Sequence, residues 1–233
     1  TLELKNLGLW ALPPLPDATL KRLVWIEEEA FFRRLVRRTG PLPSSLVHLQ
    51  CNVESTLELP ELPPFLDHLD LSTSCLLPPG DFPTLPATLR RLSVRRCSLA
   101  QLPDNLPLQL THLDCSYNGL TALPALPKTL EHLDCSFNPL TAPLPDLPDT
   151  LLHLSCCFNN LTALPALPAG LRFLNCSANE VRWLPPLLPI ALKELDCSNN
   201  RLTTLPALLP QNLKSLSCSA NNLRLLPALP RTL

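Results

Sequence analysis

Apolar residues recur in this chain on two nested periods. Within LTHLDC (110–115), LEHLDC (130–135) and LLHLSC (151–156), apolar positions alternate with polar ones, the pattern of a short half-buried β-strand. The segments themselves return every twenty or twenty-one residues over most of the chain. Counting each unit from its first leucine, repeats begin at Leu20, Leu46, Leu66, Leu89, Leu110, Leu130, Leu151, Leu171, Leu192 and Leu213, and the first and third are expanded. Residues 2–19 match the phrase from position 4 onward and Leu233 opens a further unit, so both ends are expected to be cut from a longer array. A fixed period of this length predicts one elongated solenoid over residues 1–233, irregular through 1–109 and regular through 110–233. Its strands stack in parallel into a curved sheet.

The other columns of the repeat fit that sheet. Position 6 is Cys51, Cys115, Cys135, Cys156, Cys176, Cys197 and Cys218, with Leu4, Trp25, Leu71 and Val94 in the remaining units. A slot shared by cysteine, leucine, tryptophan and valine is a buried apolar slot. Neighbouring cysteines in such a column sit about 4.8 Å apart and point the same way, whereas a disulfide brings its β-carbons to about 3.8 Å, so free thiols in a reducing compartment are expected. Position 9 is asparagine in the units holding Asn118, Asn138, Asn159, Asn179, Asn200 and Asn221, where an amide can satisfy backbone groups exposed as the chain leaves the strand. The Leu-Pro pairs of LPALPKT and LPDLPDT favour extended, polyproline-like returns on the convex side. One segment departs: WIEEEAFFRRLVRR, with Glu29 and Arg33 four apart, predicts a short helix near residues 26–38. Its Arg33, Arg34, Arg37 and Arg38 read as a solvated helix face before they read as a site for an acidic partner.

Composition narrows the possibilities. The chain holds 29 prolines and only five glycines, which without a period would suggest disorder, but 45% of its residues are hydrophobic and leucine falls on schedule. The net charge of -1 supplies no field for nucleic acid or anionic membrane, and no apolar run approaches the roughly 20 residues needed to span a bilayer. Arg90, Arg91, Arg95 and Arg96 form a basic patch that Asp67 and Asp70 of the preceding unit partly offset, too small for a nucleic-acid surface. No glycine-rich phosphate loop or nucleophile elbow is present, and repeated positions give carboxylates repeated environments, so catalysis by these residues is not expected.

The phrase LxxLxCSxNxLTxLPxLPxx, seen in LTHLDCSYNGLTALPALPKT, LLHLSCCFNNLTALPALPAG and LKSLSCSANNLRLLPALPRT, resembles the short leucine-rich repeats of bacterial type III secreted effectors, the YopM and IpaH-like or LPX family. The likeness is close over 110–232 and looser over 1–109. It implies an effector acting inside the host cytoplasm by binding a host protein. In the IpaH-like branch such repeats are the substrate-recognition arm of a separate helical ubiquitin ligase domain with a Cys-x-Asp nucleophile, and in the YopM-like branch they are a stand-alone scaffold. No Cys-x-Asp occurs here. A cell-surface recognition array fits less well with cysteines placed in a ladder.

Partner contacts are expected on the strand face, at positions 2, 3, 5, 7 and 8. All five histidines fall at position 3, as His48, His68, His112, His132 and His153, with Arg91 interrupting and Phe173 following; Asp70, Asp114, Asp134 and Asp196 stand beside them at position 5. Position 8 adds Tyr117, Phe137 and Phe158, an aromatic row bordered by histidine and aspartate of the kind that forms binding hot spots. The bland alternative is that these rings pack on one another. The candidate site is therefore Arg91, His112, Asp114, Tyr117, His132, Asp134, Phe137, His153, Phe158 and Phe173, with no cofactor or metal. His112 and His132 with Asp114 or Asp134 are chemically suitable zinc ligands, but parallel side chains about 4.8 Å apart must lean together to converge. Clustered histidines also permit pH-sensitive binding. Cys157, at position 7 where the neighbouring units have serine, is expected to be an exposed thiol without a catalytic role, and Cys75 and Cys97 are given no role.

Overall fold

Every complete repeat from Leu46 onward begins where a proline ends the one before. In the computed structural model, which describes residues 1–7, 15, 19–27, 36–38, 41–53, 56–76 and 82–233, the position-1 amide donates to the carbonyl of the proline three residues earlier. Leu110 to Pro107 (3.0 Å), Leu130 to Pro127 (3.1 Å) and Leu151 to Pro148 (3.0 Å) show the turn, and Leu233 to Pro230 (3.2 Å) repeats it at the end. Proline's preset φ makes this reversal cheap. The residue before the leucine adds a clamp that the sequence reading missed. Thr129 Oγ1 donates to the carbonyls of Leu108 and Leu110 at 2.8 Å each, and Thr150 does the same to Lys128 and Leu130 at 2.8 Å.

From each turn the chain enters a strand. The strands are β1 (Leu2–Lys5), β2 (Arg22–Ile26), β3 (Val36–Arg38), β4 (His48–Asn52), β5 (Thr56–Glu58), β6 (His68–Asp70) and β7 (Cys75–Leu76). They continue with β8 (Arg91–Ser93), β9 (His112–Asp114), β10 (His132–Asp134), β11 (His153–Ser155), β12 (Phe173–Asn175), β13 (Glu194–Asp196) and β14 (Ser215–Ser217). Eleven of them form one parallel sheet in the order β1-β2-β4-β6-β8-β9-β10-β11-β12-β13-β14, the solenoid expected from the period. Register follows the repeat numbering, with position 3 on position 3 throughout: His112 opposite His132, His132 opposite His153, His153 opposite Phe173. The leucines of positions 1 and 4 and the position-6 column are sealed between strand and return: Leu110, Leu130, Cys115, Cys135 and Cys156 are fully buried.

The irregular half holds a second, three-stranded parallel sheet, β3-β5-β7, which the sequence reading did not foresee. Of the segment expected to form a helix, residues 28–35 lie outside the described residues. Val36–Arg38, where that helix was expected to end, is instead β3, and Ile26 ends β2. The pairing of Val36, Arg37 and Arg38 with Thr56, Leu57 and Glu58 explains the strand, since non-local partners override a weak local helix preference. Beyond residue 110 the returns contain neither helix nor strand.

Among the described side chains, Cys51, Cys115, Cys135, Cys156, Cys157, Cys176, Cys197 and Cys218 are free thiols. Burial is the first cause of the raised thiol pKa of Cys51, Cys115, Cys135, Cys156, Cys176 and Cys197, the last pushed up to about 12. These groups are inert filler for the slot. Cys97 is buried as well, with its thiol on the Leu71 carbonyl at 3.0 Å.

Candidate protein-binding face

From β6 onward the strands of the main sheet end at position 5, and the three residues after it form the rim of the face. Position 8 has a left-handed backbone in Thr73, Arg96, Tyr117, Phe137, Phe158, Ala178, Asn199 and Ala220, with φ between 52° and 67°. That turn breaks the strand alternation, so from β9 to β13 positions 6 and 7 are both buried. Ser116, Ser136, Ser177 and Ser198 at position 7 lie at or below 9% exposure, which corrects the expectation that position 7 faces a partner. Cys157 is corrected with it: at 8% exposure it is a buried thiol, packed in the column where its neighbours have serine.

The same turn aims position 9 inward. Asn159 Nδ2 donates to the carbonyls of Cys135, Cys156 and Cys157 at 3.1 Å each, while its Oδ1 accepts the Leu140 amide at 3.1 Å. Asn138, Asn179 and Asn200 repeat this arrangement, as the sequence reading expected of an interior ladder. Position 5 carries a second turn lock. Asp114 Oδ1 accepts from the Ser116 amide (3.0 Å) and hydroxyl (2.7 Å), and Asp196 does the same with Ser198 at 3.0 and 2.6 Å. Asn175 makes equivalent bonds to Ser177 without a charge, so Asp114 and Asp134 have a folding duty besides any contact.

The site residues fall into two stacks. In the position-3 column, His112 and His132 stack with centroids 4.3 Å apart, His132 and His153 at 5.5 Å, and His153 and Phe173 at 4.1 Å with planes 3° apart. Arg91 interrupts the column, in register between His68 and His112. In the position-8 column, Tyr117 and Phe137 stack at 4.1 Å and Phe137 and Phe158 at 4.3 Å. The row is thus a stack showing its edges: Tyr117 and Phe137 are half-buried, and only Phe158 is exposed, at 53%. Arg95 and Arg96, read from sequence as a plain basic patch, lie over the Tyr117 ring at 4.3 and 4.8 Å from its centroid. Arg96 shares position 8 with the aromatics, and that was the available signal. Arg90 pairs with Asp67 at 3.6 Å, as expected of the offsetting carboxylates. A groove of about 390 Å³ runs across the strands between the histidine and aspartate columns, from His48 to His153, and Asp70, Arg91, Asp114 and Asp134 line it.

Face-to-face imidazoles point their nitrogens in parallel, so the column does not converge on a metal ion; among the described residues no cluster of three or more potential ligands does so. Four histidines of the column sit where the charged form is disfavoured. Burial, followed by neighbouring His68, lowers the pKa of His48 from 6.5; burial, then Arg91, lowers that of His68; burial, then His132 and Arg91, lowers that of His112; and burial, then His132, lowers that of His153. The unfolded chain titrates near 6.5, so on acidification it takes up protons before the folded chain does. The resulting contribution to stability is present above pH 6.5 and is lost as pH falls through the folded-state values. Proton NMR titration is expected to place the midpoints of these four histidines below 6.5, and Arg91→Gln to move those of His68 and His112 upward. Wild-type midpoints at or above 6.5 contradict the assignment.

Comparison with known proteins agrees with this geometry. A sequence model of the Leucine Rich Repeat matches residues 129–151 and 191–211. The fold is similar to YopM from Yersinia enterocolitica WA-314 (TM-score 0.56, 31% identity, 96% of this chain and 60% of that one). It is similar to a Shigella effector leucine-rich-repeat domain (TM-score 0.55, 44% identity, 59% of this chain and 61% of that one). It is also similar to YopM, a leucine-rich effector protein from Yersinia pestis (TM-score 0.53, 31% identity, 99% of this chain and 80% of that one). The chain thus spans about three-fifths of the length of the first two. A search of curated proteins found no match.

Proposed function

Because this chain belongs to the leucine-rich-repeat bacterial effectors, the family of YopM, we propose that it is the target-binding domain of such an effector and holds a host protein on its strand face. The contact surface runs from Arg91 to Phe173, with Tyr117, Phe137 and Phe158 at its centre. The observation that carries this reading is the aromatic stack at position 8. Its three rings stand on left-handed backbone, which costs a residue bearing a β-carbon about 1–2 kcal/mol, and the next repeats fill the same turn with Ala178, Asn199 and Ala220. Folding has no need of rings there. Strained positions that carry large side chains with accessible edges, as Tyr117, Phe137 and the exposed Phe158 do, are typical of recognition surfaces.

We further propose that the repeats choose the substrate of a ubiquitin ligase, as their resemblance to the IpaH-like branch implies. The buried thiols of the position-6 column, none of them in a disulfide, support a reducing setting such as the host cytoplasm. The test is the coding sequence past Leu233. A helical domain with a Cys-x-Asp motif is expected, and the parent protein should then form ubiquitin chains that vanish on Cys→Ala in that motif. Repeats with no such domain in the parent favour the second reading, a scaffold without an enzyme, which the match to YopM over 96% and 99% of this chain supports.

A further inference from the structure

The two stacks differ at their ends, and the difference points to the chemistry of the partner. At its N-terminal end the Tyr117–Phe137–Phe158 column is closed by guanidinium groups, those of Arg95 and Arg96. At its C-terminal end it is open. Position 8 of the next repeat is Ala178, too short to cover a ring, and Phe158 is 53% exposed. The histidine column also ends in a phenylalanine: Phe173 has His153 stacked on one side and the strand of Glu194 on the other. The face of an aromatic ring is the negative part of its quadrupole, so an open face attracts a cation, and a flat cation above all.

Charge makes the same selection. From residue 110 onward, positions 3, 5, 7 and 8 hold four carboxylates, Asp114, Asp134, Glu194 and Asp196, and neither lysine nor arginine. His112 and His153 do not offset this at neutral pH, since burial keeps both below their ordinary range. Of the cations in these repeats, Arg172, Lys193 and Lys214 stand at position 2, at the opposite end of the strands from the aromatic stack, and Lys128, Arg182, Arg201, Arg224 and Arg231 belong to the returns, Arg201 paired with Glu180 at 3.1 Å.

We propose that the partner presents arginine to this face, one guanidinium completing the Phe158 stack over Ala178 as Arg95 and Arg96 complete it over Tyr117, and a second lying on Phe173 beside Glu194. This inference rests on the strand-face reading above and adds what that face grips. Arginine fits better than lysine because its planar head stacks on a ring and is more weakly hydrated, while an ammonium is a compact, strongly hydrated charge.

The test is a titration of the 233-residue chain with a hexa-arginine peptide, following the ring signals of Phe158 and Phe173 by NMR, with hexa-lysine as the control of equal charge. Saturable shifts at both rings are expected, with affinity at least about fivefold above that for hexa-lysine. Ala178→Phe should remove the Phe158 shift by filling the slot from within, at a backbone angle that Tyr117, Phe137 and Phe158 already adopt in this column. Phe158→Ala should weaken binding comparably, and Glu194→Gln should reduce the shift at Phe173. Equal affinity for the two peptides overturns the proposal, as does hexa-arginine binding indifferent to both Ala178→Phe and Phe158→Ala. A neutral glycine-tryptophan peptide that shifts Phe158 as strongly also overturns it, because any planar group would then serve. If Phe137→Ala/Phe158→Ala loses a captured host protein while hexa-arginine shows no preference, the strand-face reading stands and the arginine inference alone falls.

Discussion

Replacing Asn159 with leucine is expected to destabilise the chain by about 3 kcal/mol, against about 1 kcal/mol or less for the same change at Asn221. Both amides make the same set of bonds; what differs is burial. Asn159 is 7% exposed and sits between two asparagine neighbours, whereas Asn221 lies in the last full repeat, where its residue is only part-buried. Removing the Asn159 amide leaves the buried Leu140 amide without its acceptor and takes one of two donors from each of the Cys135 and Cys156 carbonyls. An orphaned buried amide costs about 1–3 kcal/mol, and the two weakened carbonyls add to it. At Asn221, water can replace much of what is lost. For a chain of this size 1 kcal/mol moves the melting temperature by about 2–4 °C, so thermal unfolding should fall by about 6–12 °C for Asn159→Leu. Equal losses at the two sites would mean that the amides do not act through buried backbone.

The period made the main sheet and its register legible from sequence, because one misplaced residue would have turned every leucine outward. The cysteine and asparagine columns were legible for the same reason: a position filled by Cys, Leu, Trp or Val defines its surroundings by what it tolerates. What could not be read was set by backbone geometry or by distant pairing. Nothing in Tyr117, Phe137 or Phe158 announces a left-handed φ, since such rings rarely adopt one, and that turn is what buries Cys157 and the position-7 serines. The β3-β5-β7 sheet depends on pairing between successive units of the irregular half, Val36 with Thr56 and Thr56 with Cys75, where the helical pattern of EEEAFFRRL suggested something local. The site itself was half legible. Its columns could be counted, and Arg96 in the position-8 column was a signal for the guanidinium cap, but the stacking of the rings on one another stood in the sequence only as the bland alternative.

The stacking does not reduce the position-8 column to a packing device, because the repeats beyond Phe158 keep the same turn with Ala178 and Ala220. The double change Phe137→Ala/Phe158→Ala therefore asks for a side chain this backbone already accepts, and melting should be close to that of the wild type. Binding should not be. A buried aromatic anchor at the centre of an interface contributes about 2 kcal/mol or more, so the pair should weaken a host partner by at least about thirtyfold. The decisive measurement is the affinity of a captured host protein for the wild-type chain and for this double variant, with melting curves recorded on both. A loss of about thirtyfold with unchanged melting is expected; unchanged affinity in a folded variant would contradict a binding role for the position-8 column.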